Sequence, residues 1–421
     1  MTQVESPGTA GAGRRIAVVG AGQAGLQAAL ALLGRGYAVT LVAEREPDDV
    51  ERGRVKSSQC LFGEALQLER AAGIEFGRDA CPPINAITFG AVDARSPNGR
   101  MIAWRGTLSR GAAAIDQRIK FAALLREVPR RGGTVRIATA DVAMLEELAA
   151  SHDLVLVATG RGEPGQLFER DAVRSVFRTP QRVLGLTFLH CDGRVGPADA
   201  VSFNVVPGIG EIFVMPALTH SGPCHVAVFE GIAGGPLDCW RDVKSASAHL
   251  GRSLDLMRRF TPWELDACRY VELTDANGTL TGSFAPMVRH PVAVLPSGRA
   301  VLGMGDAVVL HDPITGQGAN GAVKCAAAYV EAIVERGALP FTHGWMLSAF
   351  AAYWRDAAYA VQWTNSMLFP PVPHVLGLFR AAQRNPALAT RLADGFDDPS
   401  SLYPAWSDAQ ACETWRESLG I

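Results

Sequence analysis

Two glycine-rich stretches carry the residue types and spacing that could bind a nucleotide. The first is Gly20-x-Gly22-x-x-Gly25. Glycines at this spacing allow a tight turn and let the backbone approach a pyrophosphate, which rests on the N-terminus of the following helix. Glu44 follows about twenty residues later, where an acid hydrogen-bonds a ribose hydroxyl. The second stretch holds Gly305-Asp306, then Asp312-Pro313, then Gly316, Gln317, Gly318, Ala319 and Asn320. An aspartate after a glycine at a strand end suits a chain of sugar-like hydroxyls. A helix opening on glycines presents free N–H groups to the polar edge of a ring.

Regular elements must hold both loops. The run Arg-Ile-Ala-Val-Val before Gly20 predicts a buried parallel strand, the Leu/Ala-rich run after Gly25 a helix, and residues 37–44 a second strand. Residues 300–308 predict a strand ending on Gly305-Asp306, followed by a long helix from about Gln317. NAD has no ribityl chain, whereas FAD does. One extended FAD, with its adenosine half on the first loop and its flavin half on the second, explains why one chain needs both.

The rest of the composition bounds the class. The chain has 421 residues, enough for two domains sharing a substantial core. Hydrophobic residues make up 48% and charged residues 19%, with a net charge of −2. That balance predicts a soluble protein with no general affinity for nucleic acid or membrane. The 8 cysteines are scattered, with no Cys/His cluster at metal-ligand spacing, so no metal is expected; they read as reduced thiols of a cytoplasmic protein.

Taken together, the first loop, the stretch Asp153 to Gly160 and the G-D/D-P/G-Q-G-A-N set resemble the two-component FAD-dependent epoxidases, the styrene and indole monooxygenases. The segments at 45–49, 114–118, 211–218 and 363–365 extend the resemblance over most of the chain. It implies an α/β fold of the p-hydroxybenzoate hydroxylase kind: a Rossmann-type FAD-binding domain, an antiparallel-sheet substrate domain and a helical C-terminal part. The corresponding boundaries are a disordered tail at 1–14, the FAD domain at 15–174 and 297–340, the substrate domain at 175–296 and the helical region at 341–421. Single-component relatives carry a D-G-x-x-S-x-x-R stretch serving FAD and NADPH. Here Asp192-Gly193 is followed by Gly196 and Asp199 where Ser and Arg are needed. A separate NADH-dependent flavin reductase is therefore the expected partner.

The branches of that family differ in the loop after the second strand. Styrene-type members show Asn-x-Val-x-His and indole-type members Ser-x-Gln-x-Met; this chain has Ser57-x-Gln59-x-Leu61. Ile84 and Ile87 stand where the styrene type has Tyr and His, and Ala112 where it has Ser. The resemblance thus implies a pocket of Ser57, Gln59, Leu61, Ile84, Ile87 and Ala112 for a small aromatic, indole before styrene, oxygenated from O₂ at indole's C2=C3 bond towards indoxyl and indigo. The cofactor carries the hard chemistry, so no nucleophile is expected. Asn320 and Pro313 fall where the family places residues near the reactive flavin face. Arg45, Arg54 and Arg118 are candidates for phosphate or flavin contacts. The alternatives are a styrene-type epoxidase or sulfoxidase and, in another class, a non-catalytic carrier of reduced flavin.

Overall fold

The computed structural model describes residues 13–93 and 99–419. Most of the tail expected at 1–14 lies outside them. Arg14 does not behave as tail: its guanidinium donates to the Leu339 carbonyl at 2.9 Å and stacks 3.8 Å from the Phe341 ring centroid.

In chain order the strands are β1 (Arg15–Val19), β2 (Ala38–Ala43), β3 (Leu61–Phe62), β4 (Ile84–Val92), β5 (Arg100–Ala113), β6 (Thr134–Ile137), β7 (Leu154–Val157) and β8 (Val183–Cys191). They continue as β9 (Ala200–Val206), β10 (Gly210–Thr219), β11 (Gly222–Gly231), β12 (Val271–Leu273), β13 (Thr279–Gly282), β14 (Met287–Val288), β15 (Val292–Val294), β16 (Ala300–Gly303) and β17 (Val309–Leu310).

A six-stranded sheet runs in the order β15-β16-β7-β1-β2-β6, parallel except for its β15 edge. Its central strands are continuous apolar runs because helices cover both faces. The helix Gln23–Leu33 is rich in Ala and Leu, and its buried side pairs with the helix Gln317–Arg336. Strands β7 and β16 are far apart in the sequence, yet lie side by side. That adjacency brings the second glycine stretch next to the first.

The larger sheet has nine strands, ordered β12-β8-β11-β10-β9-β4-β5-β3 with β13 also on β8. All of its pairings are antiparallel but β4 with β9. Residues 84–113 thus belong to this sheet, although they lie on the FAD side of the boundary expected at 174. One face packs under the helix Ala246–Phe260 through Leu256, Met257 and Phe260 against Ile212, Val214 and Phe229. The other face takes Phe203, Phe213, Met215 and Val228 into a core shared with the C-terminal helices. Every residue of β10 is buried, as a strand covered on both sides must be. The helix Pro386–Asp394 comes so near β5 that a Cβ on Gly106 would sit 2.0 Å from the Ala389 carbonyl oxygen. Among the described residues, no helix is long and apolar enough to cross a membrane.

Candidate active site

The first loop does three separate jobs with its glycines. Gly20 has φ +114°, a conformation that side chains resist. A Cβ on Gly25 would lie 1.9 Å from the Gly20 carbonyl oxygen, so this glycine permits helix–strand packing. A Cβ on Gly22 would meet no protein atom within 4 Å, and Gly22 caps the helix without any side-chain partner. Its surroundings are open space before unsatisfied N–H groups.

The second loop repeats this arrangement. Gly305 and Gly316 have φ +56° and +65°. The helix from Gln317 has no side-chain cap and no acid in its first turn, and the Cβ position of Gly318 is also open. A Cβ on Gly305 would lie 2.9 Å from the Ala24 side chain of the first loop, so the two loops meet directly.

Both loops open into one cavity of about 920 Å³, lined at one end by Gly20, Gly22 and Glu44 and at the other by Asp306, Pro313, Gly316, Gly318 and Ala319. This volume is near the upper end for a single-ligand site. Around the first loop stand Arg45 and the exposed side chains of Lys56 and Arg161, all on the cavity wall, which Arg54 also lines. Sequence reasoning missed Lys56 and Arg161. Burial, then the charge of Arg45, lowers the pKa of Lys56; Glu44 offsets this from 4.0 Å. Asp306 is open to the cavity but walled in by protein. Burial raises its carboxyl to about 6, against the pull of Arg161 and Arg289.

Several residues singled out by the sequence do something else. The Arg118 side chain lines the cavity but is committed: it grips Asp116 at 2.7 Å and Asp275 through two bonds of 2.9 Å. Burial pulls its pKa down, and the hydrogen bonds to Asp275 and Asp116 outweigh this and raise it. Arg118 therefore fastens loops together and has no free fork for a phosphate. Asn320 accepts from Phe62 N at 2.9 Å and donates to the Cys60 and Gly316 carbonyls, each at 2.8 Å. Gln317 donates to the Phe396 carbonyl at 2.8 Å. Asn320 braces the segment 60–62 against the helix start and Gln317 ties the same start to residue 396. Neither lines the cavity; nor do Gly25 and Gly305, which sit behind it as packing glycines.

Ser57 and Gln59 do line the cavity. Leu61, Ile84, Ile87 and Ala112 do not, and each has a packing reason. Leu61 joins Ala65 and Val323. Ile84 and Ala112 face each other across β4 and β5, and with Ile87 they lie inside the larger sheet's core. The apolar wall comes instead from Leu184, Val201, Phe213, Met215 and Val228, with Glu230 beside them. The readable signal was the alternation along β10 and β11, which puts 213 and 215, and 228 and 230, on one face. His311 also lines the site; it is buried, neither ring nitrogen has a partner, and burial pushes its pKa down to about 4.

Residues 160–266, which include the strands of this wall, match the family described as "Styrene monooxygenase A putative substrate binding domain". Two curated proteins named styrene monooxygenase StyA, from Pseudomonas fluorescens and a Pseudomonas species, are each 27% identical over 420 residues, covering 96% of this chain and 97% of the relative. The chain is a flavin-dependent monooxygenase, similar over nearly its whole length to these styrene monooxygenases. Reading it as a non-catalytic flavin carrier gives way on this point.

Solved structures agree on the fold of this monooxygenase. The flavin-dependent brominase Bmp2 aligns with TM-score 0.62 at 14% identity, over 96% of this chain and 99% of its own. Klebsiella pneumoniae HpxO, complexed with FAD and uric acid, aligns with TM-score 0.58 at 16% identity, over 92% and 97%. The monooxygenase is an FAD protein, and its cavity fits that cofactor. Two uncapped helix N-termini stand at its two ends, cations gather at the first, and the Cβ positions of Gly22 and Gly318 are left open for a ligand's approach.

Proposed function

We propose that this monooxygenase adds one oxygen atom of O₂ across the C2=C3 bond of indole, using reduced FAD delivered by a separate NADH-dependent reductase. The observation that carries the indole assignment is Gln59. It is buried on the cavity wall, and its Oε1 has no hydrogen-bond partner. Indole brings an N–H to such an acceptor and styrene brings none; a buried amide left unpaired costs about 1–3 kcal/mol. Phe213, Met215, Val201 and Val228 offer a flat aromatic ring an apolar wall.

When bound, reduced FAD supplies two electrons and activates O₂. The chain's own part is to bind, orient and keep dry. The Gly22 turn and its cations suit the pyrophosphate; the N–H groups at Gly318 and Ala319 suit negative charge on the ring. The lack of a self-reducing stretch fits a separate reductase: Asp192 is used by the N–H groups of Arg269 and Tyr270, and Asp199 by Arg105.

A styrene-type epoxidase is the second reading, favoured by the names of the two full-length relatives. Turnover of indole and styrene side by side, with reductase in excess, tests the choice. The indole reading expects the higher kcat/KM for indole and blue pigment in cells. A higher value for styrene overturns it.

A further inference from the structure

One buried cluster on the cavity wall holds more acid than base. Glu211 and Glu230 face each other across β10 and β11, at the end of the face that carries Phe213, Met215 and Val228. Arg182, just before β8, gives its guanidinium to Glu211 through bonds of 2.7 and 2.9 Å. Asp312 reaches the cluster from the second glycine stretch and accepts from Ile314 N at 3.2 Å. Glu230 and Asp312 are each 1% exposed, and Glu230 Oε2 has no partner. Three carboxyls thus meet one guanidinium that is already taken. The neighbouring His311 brings no compensating charge at neutral pH, since burial keeps it neutral.

Two adjacent carboxylates removed from water and lacking a cation of their own do not both ionise. Burial, then the charges of Asp312 and Glu211, pushes Glu230 well above the carboxylate range, and burial lifts Asp312 to about 6. We propose that Glu230 and Asp312 hold one proton between them where the substrate sheet meets the flavin loop, and that Glu230 delivers it into the cavity during oxygen transfer. Oxygen transfer consumes O₂, two electrons and two protons. One oxygen bonds to the substrate, the O–O bond breaks and the other oxygen leaves as water. The pair supplies one proton, its O–H bond breaking as an O–H bond of water forms; the reduced flavin brings the other, with both electrons. Solvent then reloads the pair. The proposal rests on the monooxygenase activity and is indifferent to which alkene is oxidised.

Infrared spectroscopy of the ligand-free protein at neutral pH reads the proton directly. A protonated-carboxyl C=O band, sensitive to D₂O, is expected in the native chain, lost in Glu230→Gln and shifted in frequency in Asp312→Asn. With reductase present, Glu230→Gln is expected to slow product formation about a hundredfold, diverting oxygen to hydrogen peroxide, with partial rescue by Glu230→Asp. Absence of the band in the native chain overturns the proposal even if no variant folds. So does a band that survives Glu230→Gln or stays unshifted in Asp312→Asn, or a Glu230→Gln enzyme with native product yield and pH profile.

Discussion

The two glycine-rich turns share one cavity but stand in opposite electrostatic surroundings. The first is ringed by exposed or half-exposed cations, Arg45, Lys56 and Arg161. The second is bordered by buried groups that carry little charge at neutral pH or share it: His311, Asp312 and Glu230. Arg289, on the same wall, is occupied with the Asp306 and Ala307 carbonyls at 3.0 and 3.1 Å. The first end is suited to fixing an anion that arrives from water. The second is suited to excluding water and governing protons, which oxygen chemistry requires.

The sharpest break in this comparison lies within the first loop. Gly22→Val should fold and lose FAD binding by more than about a hundredfold, because its side chain would occupy the space that a pyrophosphate takes. Gly25→Val should instead fail to fold, since its Cβ would overlap the Gly20 carbonyl oxygen at 1.9 Å. Calorimetric titration and thermal melting separate the two. Normal FAD binding by a folded Gly22→Val protein would remove the first loop from the site.

At the other end, the double exchange Ser57→Asn with Gln59→Val should move the indole-to-styrene ratio of kcat/KM towards styrene by about ten- to two-hundredfold. Ile87→His should give no switch but a destabilised protein, because Ile87 is 0% exposed and the imidazole would be buried without a partner. A ratio unchanged within about twofold in the double variant would make Ser57 and Gln59 scaffold.

A smaller effect tests the proton-handling end through stability. Asp306 titrates near 6 in the folded chain, above its ordinary value, so its contribution is present at low pH and lost as pH rises through about 6. His311 runs the other way: held near 4, it costs stability as pH falls from about 6.5 to about 4. Between those limits, the Tm of ligand-free Asp306→Asn should climb relative to the native protein as pH rises, and that of His311→Gln should decline. Shifts of the same sign would contradict the environments assigned to the two groups.

The smallest effect belongs to the exposed cations. Lys56→Ala and Arg161→Ala should each weaken FAD binding by about 0.2–1 kcal/mol, less at high salt. A loss insensitive to salt would mean that these side chains contact the ligand from within rather than from the rim.

What could be read from sequence was whatever consecutive residues encode. Strand, turn, helix and acid follow one another from Arg15 to Glu44, and the second loop likewise announces its helix at Gln317. Long-range partners were not legible. Arg118 looks like a free cation until Asp275, distant in sequence, closes on it. Ile84, Ile87 and Ala112 have the residue types of a pocket, but only the pairing of β4 with β5 and β9 decides that they face the core. The acid excess at Glu230 is equally silent, because three separate segments contribute to it.

The central claim is that both loops hold the two ends of one FAD. Calorimetric titration of the native chain, Gly22→Val and Gly318→Val with FAD tests it most directly, because both glycines have open Cβ positions and line opposite ends of the cavity. The expected result is one FAD per native chain and loss of binding in both variants, with native melting curves. Two nucleotide equivalents per chain, or native affinity in Gly318→Val, would contradict a single ligand spanning both loops.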